Sequence, residues 1–509
     1  MPIATLLSAG LQGIDATPIH VEVDITRGLP GWSTVGLAEN AVRESKERVI
    51  SSIHNCGYQF PFRRITLNLA PADVKKSGTA FDLPIAIGLL AAAELLPVES
   101  LQGYAFLGEL SLDGGLRPIR GALSAAALAK ERGWRGLILP FENLHEAGLI
   151  QEVPTMGARN LPEVVEFLKG RGPLPLATEM PPPRPPQAPH LPDLAEVKGQ
   201  GHAKRALEVA AAGFHNLMMV GPPGTGKTML ASCLPSILPP MTREESLTAT
   251  KIYSLLGRLG PEAGLIAQRP FRAPHHTISE AGLIGGGSVP RPGEASLAHN
   301  GVLFLDEIGE FKRHVLEALR QPLESHGVTI SRARHSLSYP ARFLLAAAMN
   351  PCPCGSLGNP RTPCVCPPAA IARYQSKVSG PLLDRFDLRL TVPALNFEEL
   401  KSTAPGEGSR QVRDRVALAQ ERQRRRLAEA GLLFNSQMGP KELRRCCGLE
   451  AEAEDLLKTA VERWGWSARA YHRVLKVART IADLAGTEEI ETVHLSEAMA
   501  YRAEEGNPG

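Results

Sequence analysis

The stretch NLMMVGPPGTGKTML, residues 216–230, decides the fold. An apolar run, Leu217 to Val220, enters a loop of pattern G-x-x-x-x-G-K-[ST] formed by Gly221, Pro222, Pro223, Gly224, Thr225, Gly226, Lys227 and Thr228, and a helix follows. Glycines are needed because the backbone must wrap a triphosphate with several N–H groups pointing inward, and a β-carbon would obstruct that approach. Lys227 is then placed to reach the β- and γ-phosphates and the Thr228 hydroxyl to bind Mg2+. A fortuitous glycine-rich turn is the alternative, and the strand before the loop and the helix after it argue against that. The reading predicts an α/β fold with ATP and Mg2+ as cofactors.

Working outward, GVLFLDEIGE (301–310) supplies four apolar residues, Val302 to Leu305, ending in two acids. Such a run suits a buried parallel strand that delivers Asp306 to the magnesium and Glu307 to the attacking water, so hydrolysis is favoured over nucleotide storage. A third strand, ARFLLAAAMN (341–350), ends in Asn350, which either orients water near the γ-phosphate or opens an Asn-Pro turn. In SGPLLDRFDLRLTVP (379–393), Arg385 sits between two aspartates, either as an ordinary ion-pair partner or as an arginine finger for a neighbouring subunit.

At 509 residues the chain is too long for one ordinary core, and its net charge of +3, from 56 basic and 53 acidic side chains, points to no particular partner. The N-terminus has no basic region ahead of an apolar one, and the longest greasy stretch, FDLPIAIGLLAAAELLP (81–97), is interrupted by Asp82, Pro84 and Glu94. A cytoplasmic protein without a membrane span is therefore expected. Residues 1–170 alternate strand-like runs (HVEVDI, RITLNLA, RGLILP) with alanine-rich helical ones. Prolines then crowd residues 171–192, which reads as a semi-rigid extended linker. A second α/β region runs over 193–395, and 396–509 reads as helical.

The motifs GPPGTGKT, VLFLDE, AAAMNPCPCG, SGPLLDRFD and SARAYHRVLKVARTIADLAG, in that order, resemble those of AAA+ ATPases of the magnesium-chelatase-like clade, specifically the YifB/ComM family. The similarity extends over essentially all of the chain, and APHHTISEAGLIGGG and NPCPCG are far more specific to it than the P-loop is. The resemblance implies a hexameric ring with ATP between subunits and a helical lid on the P-loop core. It makes Asn350 sensor 1, Arg385 the finger in trans and Arg469 the sensor 2 arginine, with Arg473 as runner-up. It also implies that residues 275–290 form an insert directed toward the ring axis and that 326–340 form a pre-sensor hairpin near the pore. Arg332, Arg334 and His335 lie at or near the tip of that hairpin, either gripping DNA phosphates or as an ordinary solvated turn.

The cysteine box NPCPCGSLGNPRTPCVC (350–366) begins two residues after that sensor position. Four thiolates, from Cys352, Cys354, Cys364 and Cys366, suit a closed tetrahedral Zn2+ site, although C-x-C spacing is tighter than the usual zinc-finger spacing; reduced thiols in a loop held by its prolines are the alternative. Four sulfur ligands leave no open position, so a structural role is expected rather than a catalytic one.

Toward the N-terminus, KKSGTAFDLPIAIGLLAA (75–92) and FLGELSLDGGLRPIRGALSAAALA (106–129) resemble the Lon-protease domain, a ribosomal protein S5 domain 2-like α/β fold. The family's serine position falls on Ala80 and its lysine position near Ala125, and Ser77 lacks a partner lysine, so a non-proteolytic domain is expected. Seven arginines between Arg410 and Arg426 form a basic helix, either along nucleic acid or as a solvated face. Two functions follow from the resemblance. One is a helicase promoting branch migration of recombination intermediates in natural transformation, bound to single-stranded, duplex or branched DNA and working with recombination proteins. The other is a chelatase-like or chaperone ATPase that remodels a protein; against it, the resemblance implies that the chelatase I subunit lacks this N-terminal domain, and the chain contains no D-x-S-x-S metal-adhesion signature of the partner chelatase subunit.

Overall fold

The computed structural model describes the chain except residues 1–2, 37–39, 62, 75, 77, 182–190, 261, 288–289, 333–334, 360–361, 395–405 and 503–509. Ser77 and Arg334 lie outside the described residues, as do the side chains of Arg332 and His335. The chain divides into two compact units, Met1–Gln187 with Arg243–Ala267, and Ala188–Thr242 with Gln268–Gly509.

In the first unit, seven strands form one sheet in the order Gly31–Val35, Arg64–Ala70, Asp15–Thr26, Ala4–Gln12, Tyr104–Phe106, Gly136–Pro140 and Thr155–Ala158. RITLNLA alternates buried and part-exposed positions, as a strand covered on one face should. Gly136–Pro140 is buried throughout, because it runs parallel between two neighbours under helices. The helix Asp82–Ala92 packs on one side of the sheet and Ala122–Glu131 on the other. Against the latter lies Leu247 of the helix Arg243–Leu255, a segment that sequence reading placed inside the second region. Lys251 is fastened there to Asp15 at 2.7 Å. Part of the proline-rich stretch is also ordered on this unit: Leu174 is buried, and Pro175 O accepts from Gly157 N–H at 2.9 Å. Prolines bring no N–H of their own, yet their carbonyls serve an edge strand.

The second unit is built on five strands, all parallel, in the order Phe271–Arg272, Val302–Leu305, Leu344–Met349, Leu217–Val220 and Leu388–Thr391. LLAAAM is buried at every position; its alanines let helices approach a central strand closely. The helices Gly201–Gly213, Ser409–Leu427 and Ala468–Ala485 share one apolar core with this sheet. Ala468–Ala485 buries Val474, Val477 and Ile481 and packs Leu484 against the same core, the face its periodicity predicts. The predicted hairpin is present as Gly327–Arg332 paired antiparallel with His335–Pro340. Among the described residues no helix is long and apolar enough to cross a membrane.

Candidate active site

Because the five strands are parallel, their carboxyl ends deliver three loops to one edge of the sheet. Val220 lies opposite Met349, and Gly221 N–H donates to Met349 O at 3.1 Å. Position 221 has to be glycine: a β-carbon there would stand 2.2 Å from the Val392 carbonyl oxygen. The loop turns through Gly226 at φ +84° into the helix Lys227–Ser232. Lys227 Nζ closes the loop by donating to Gly221 O at 2.7 Å and Pro222 O at 2.8 Å. Burial holds this ammonium below the usual lysine range, against the opposing charges of Asp306 and Glu307.

Thr228 Oγ1 donates to Asp306 Oδ2 at 2.7 Å, tying the first turn of this helix to the end of Val302–Leu305. The other oxygen, Asp306 Oδ1, accepts Glu307 N–H at 3.0 Å. Glu307 takes a left-handed backbone at φ +51°, which turns the chain out of the strand and leaves its side chain exposed. Asn350 follows Leu344–Met349 and so stands beside Gly221. The donor set fits its expected ligands. A hydroxyl and a carboxylate already in contact are hard oxygen donors of the kind magnesium takes, and a loop glycine whose β-carbon position is open, Gly224 at φ +76°, leaves the backbone approachable.

A second group of predicted residues lies together elsewhere. Arg385, Arg469, Arg473 and Lys476 line a cavity of about 240 Å³ floored by Met438 and Leu443. Arg385 pairs with Glu324, and its carbonyl accepts from Asn216 Nδ2 at 2.9 Å. Arg469 Nη1 is 3.8 Å from Asp384 and Arg473 Nε 3.5 Å from Asp387. Burial alone would raise the Asp387 carboxyl; the hydrogen bond from His215 and the charge of Arg473 outweigh that and hold it below its usual value. One Arg385 nitrogen, Nε, and one Arg473 nitrogen, Nη1, are buried without a hydrogen-bond partner.

The cysteine box folds into a cluster: the Sγ atoms of Cys352, Cys354, Cys364 and Cys366 all lie within 4.8 Å of one another. Cys352 to Cys354 is 3.4 Å, Cys352 to Cys364 3.5 Å and Cys354 to Cys364 3.7 Å. A tetrahedral site with Zn–S bonds of about 2.3 Å has sulfur–sulfur edges of about 3.8 Å, so four thiolates here fit a zinc ion. Backbone N–H groups of Ser356 and Val365 pull Cys354 down to about 6.

Three family models match the chain: "Magnesium chelatase, subunit ChlI" over residues 193–400, "Subunit ChlI of Mg-chelatase" over 21–143, and "Magnesium chelatase, subunit ChlI C-terminal" over 406–502. YifB of Salmonella typhimurium is 46% identical over 507 residues, covering 99% of this chain and 97% of that protein. Competence protein ComM of Haemophilus influenzae is 46% identical over 508 residues, covering 99% and 98%. The chain belongs to the YifB/ComM family of magnesium-chelatase-like proteins. It is an AAA+-type ATPase of mixed α/β fold, and that family implies ATP and Mg2+. Lon protease 2 of Bacillus subtilis is 28% identical over 151 residues, 28% of this chain and 27% of that protein.

In this YifB/ComM-family chain the two positions that the Lon resemblance implied for serine and lysine carry alanine: Ala125 is buried, and Ala80 packs against the cluster that contains it. Five arginines of the basic helix are engaged by partners within the chain. Arg415 meets Glu208 and Glu407, Arg426 meets Asp483 at 2.6 Å, and Arg422, Arg424 and Arg425 also bond within the chain. Sequence reasoning missed Asn216 and Tyr374. Asn216 also accepts Leu345 N–H at 2.9 Å; its only signal was a polar residue immediately before the P-loop strand.

Proposed function

We propose that this ATPase is a motor on DNA, a cytoplasmic hexameric helicase that drives branch migration of recombination intermediates in natural transformation. The observation that carries the hydrolytic part is the 2.7 Å bond between Thr228 and Asp306, which brings the P-loop and the acidic strand end to one point. Thr228 and Asp306 would hold Mg2+, Lys227 and the loop backbone the phosphates, and Glu307 would take the proton of the attacking water. Bound magnesium supplies charge neutralisation on the phosphates. Asn350, beside Gly221, would orient that water.

Arg385 and Arg469 line one cavity, and their grouping supports a role for both at a neighbouring subunit's nucleotide, as finger and sensor 2, with Arg473 beside them. The helices from Ser409 onward would be the lid, and residues 1–170 a Lon-like domain without proteolytic chemistry used for assembly. The four cysteines would hold zinc as a structural staple. Arg332, Arg334 and His335 are the favoured DNA contacts; the basic helix contributes less, given its pairs within the chain. The competence name of the Haemophilus relative supports a DNA substrate.

The second reading, a chelatase-like ATPase remodelling a protein, is favoured by the chelatase descriptions of all three matching models. One of them covers residues 21–143, so the N-terminal region does not separate the two readings. ATP turnover measured with no DNA, duplex, single strand and a mobile four-way junction does. Stimulation that fades with salt is expected of the motor, and a rate indifferent to every DNA favours the remodeller. Glu307→Gln, the blank, should bind ATP and lose turnover; full turnover in it would remove Glu307 from the role of base.

A further inference from the structure

The cysteine box is followed by the helix Pro368–Gln375, whose one large buried side chain, Tyr374, reaches back into the region just described. Its hydroxyl faces the backbone N–H of Asn350. Its ring lies on Gly309, where a β-carbon would stand 3.0 Å from Tyr374 Cζ and 3.1 Å from the hydroxyl oxygen. Glycine at 309 is what lets the ring approach the turn that follows Glu307. Two neighbours fasten the same helix end: Gln375 Nε2 donates to Pro351 O at 3.2 Å, and Lys377 Nζ sits 5.2 Å from the Tyr374 ring centroid and 3.4 Å from Glu310. On the far side of the box, Gly355 lies against the P-loop, a β-carbon there falling 2.7 Å from Pro223 Cδ. Burial, with the charges of Glu310 and Glu307 near it, pushes the Tyr374 hydroxyl up to about 12, so it stays a neutral hydroxyl at working pH.

We infer that Tyr374 is a positioning residue for hydrolysis: wedged between the Asn350 backbone and the Gly309 turn, it sets the distance between the Asn350 side chain and the Glu307 carboxylate. This rests on the reading of Glu307 as the base. The two groups end different strands, Leu344–Met349 and Val302–Leu305, and each strand fixes only its own loop. A buried side chain that touches both loops fixes one against the other, and small misplacements of such groups are costly in rate.

The test is Tyr374→Phe in the full chain, which keeps the ring on Gly309 and removes only the hydroxyl. The rate constant for ATP turnover should fall about tenfold while ATP affinity changes less than about twofold and the melting temperature is retained. In an Asn350→Ala background the same substitution should cost less than about twofold, because the group through which Tyr374 acts is gone. Unchanged turnover in Tyr374→Phe, or an equal loss in both backgrounds, overturns the inference. Should Tyr374→Phe melt early, Gly309→Ala displaces the ring from the other side; it should lower turnover at constant ATP affinity, and wild-type turnover there overturns the inference too. Failure of the underlying reading shows separately, as wild-type turnover in Glu307→Gln.

Discussion

At the scale of single residues, the active edge is organised by short contacts between neighbours in space that are far apart in sequence. Thr228 and Asp306 are joined across 78 positions. Their chemistry was legible because each sits within a pattern that names it, Thr228 closing G-x-x-x-x-G-K-T and Asp306 following an apolar run that ends in D-E. The arginines were named from the order of motifs, but that Arg385, Arg469 and Arg473 share a cavity follows from packing that no local pattern encodes. Tyr374 was not legible, since a tyrosine eight residues past a cysteine reads only as a helix position. His299 gives a prediction at this scale. It is buried, its Nδ1 accepts Arg342 N–H at 2.9 Å, and burial, with Arg342 and His326 near it, pulls it down to about 3. A folded-state value below that of the unfolded chain means stability is full above pH about 6.5 and is lost as pH falls toward 3. At pH 5 the loss should be about 2 kcal/mol, read from denaturant unfolding. His299→Gln should flatten that slope, and an unchanged slope would assign the pH dependence to other groups.

At the scale of elements, periodicity located the strands and helices that carry a face. LLAAAM, VLFL and the helix Ala468–Ala485 follow their patterns. The helix Arg243–Leu255 shows why the rest was hidden: its pattern tells that one face is buried, yet not that the covering surface is the Ala122–Glu131 helix, more than a hundred residues earlier. The basic helix shows the same limit, for its arginines read alike in sequence whether they face solvent or Asp483. For the cysteine box, spacing offered zinc or free thiols, and only folding brings the four sulfurs within 4.8 Å. Protein purified without chelator should release about one zinc per chain on unfolding, measured with a colorimetric chelator. Cys354→Ser with Cys364→Ser should abolish that release; metal-free protein of undiminished melting temperature would dispose of the staple.

At the scale of the whole molecule, the proposed assembly is a ring whose sites are shared between subunits. Glu307 and Arg385 would then serve different sites from the same chain, so Glu307→Gln and Arg385→Gln, each inactive alone, should complement one another. Mixed in equal amounts they should restore activity at about a quarter of the sites, since a head-to-tail ring forms some interfaces from the intact halves of both. No recovery after subunit exchange would place Arg385 outside the neighbour's site. The central claim, that hydrolysis drives movement along DNA, is tested most directly by incubating the full chain with a mobile four-way junction and following its conversion to duplex products. ATP-dependent conversion, lost in Glu307→Gln and without nucleotide, is expected of a DNA motor. A junction left intact by protein that hydrolyses ATP normally would contradict it.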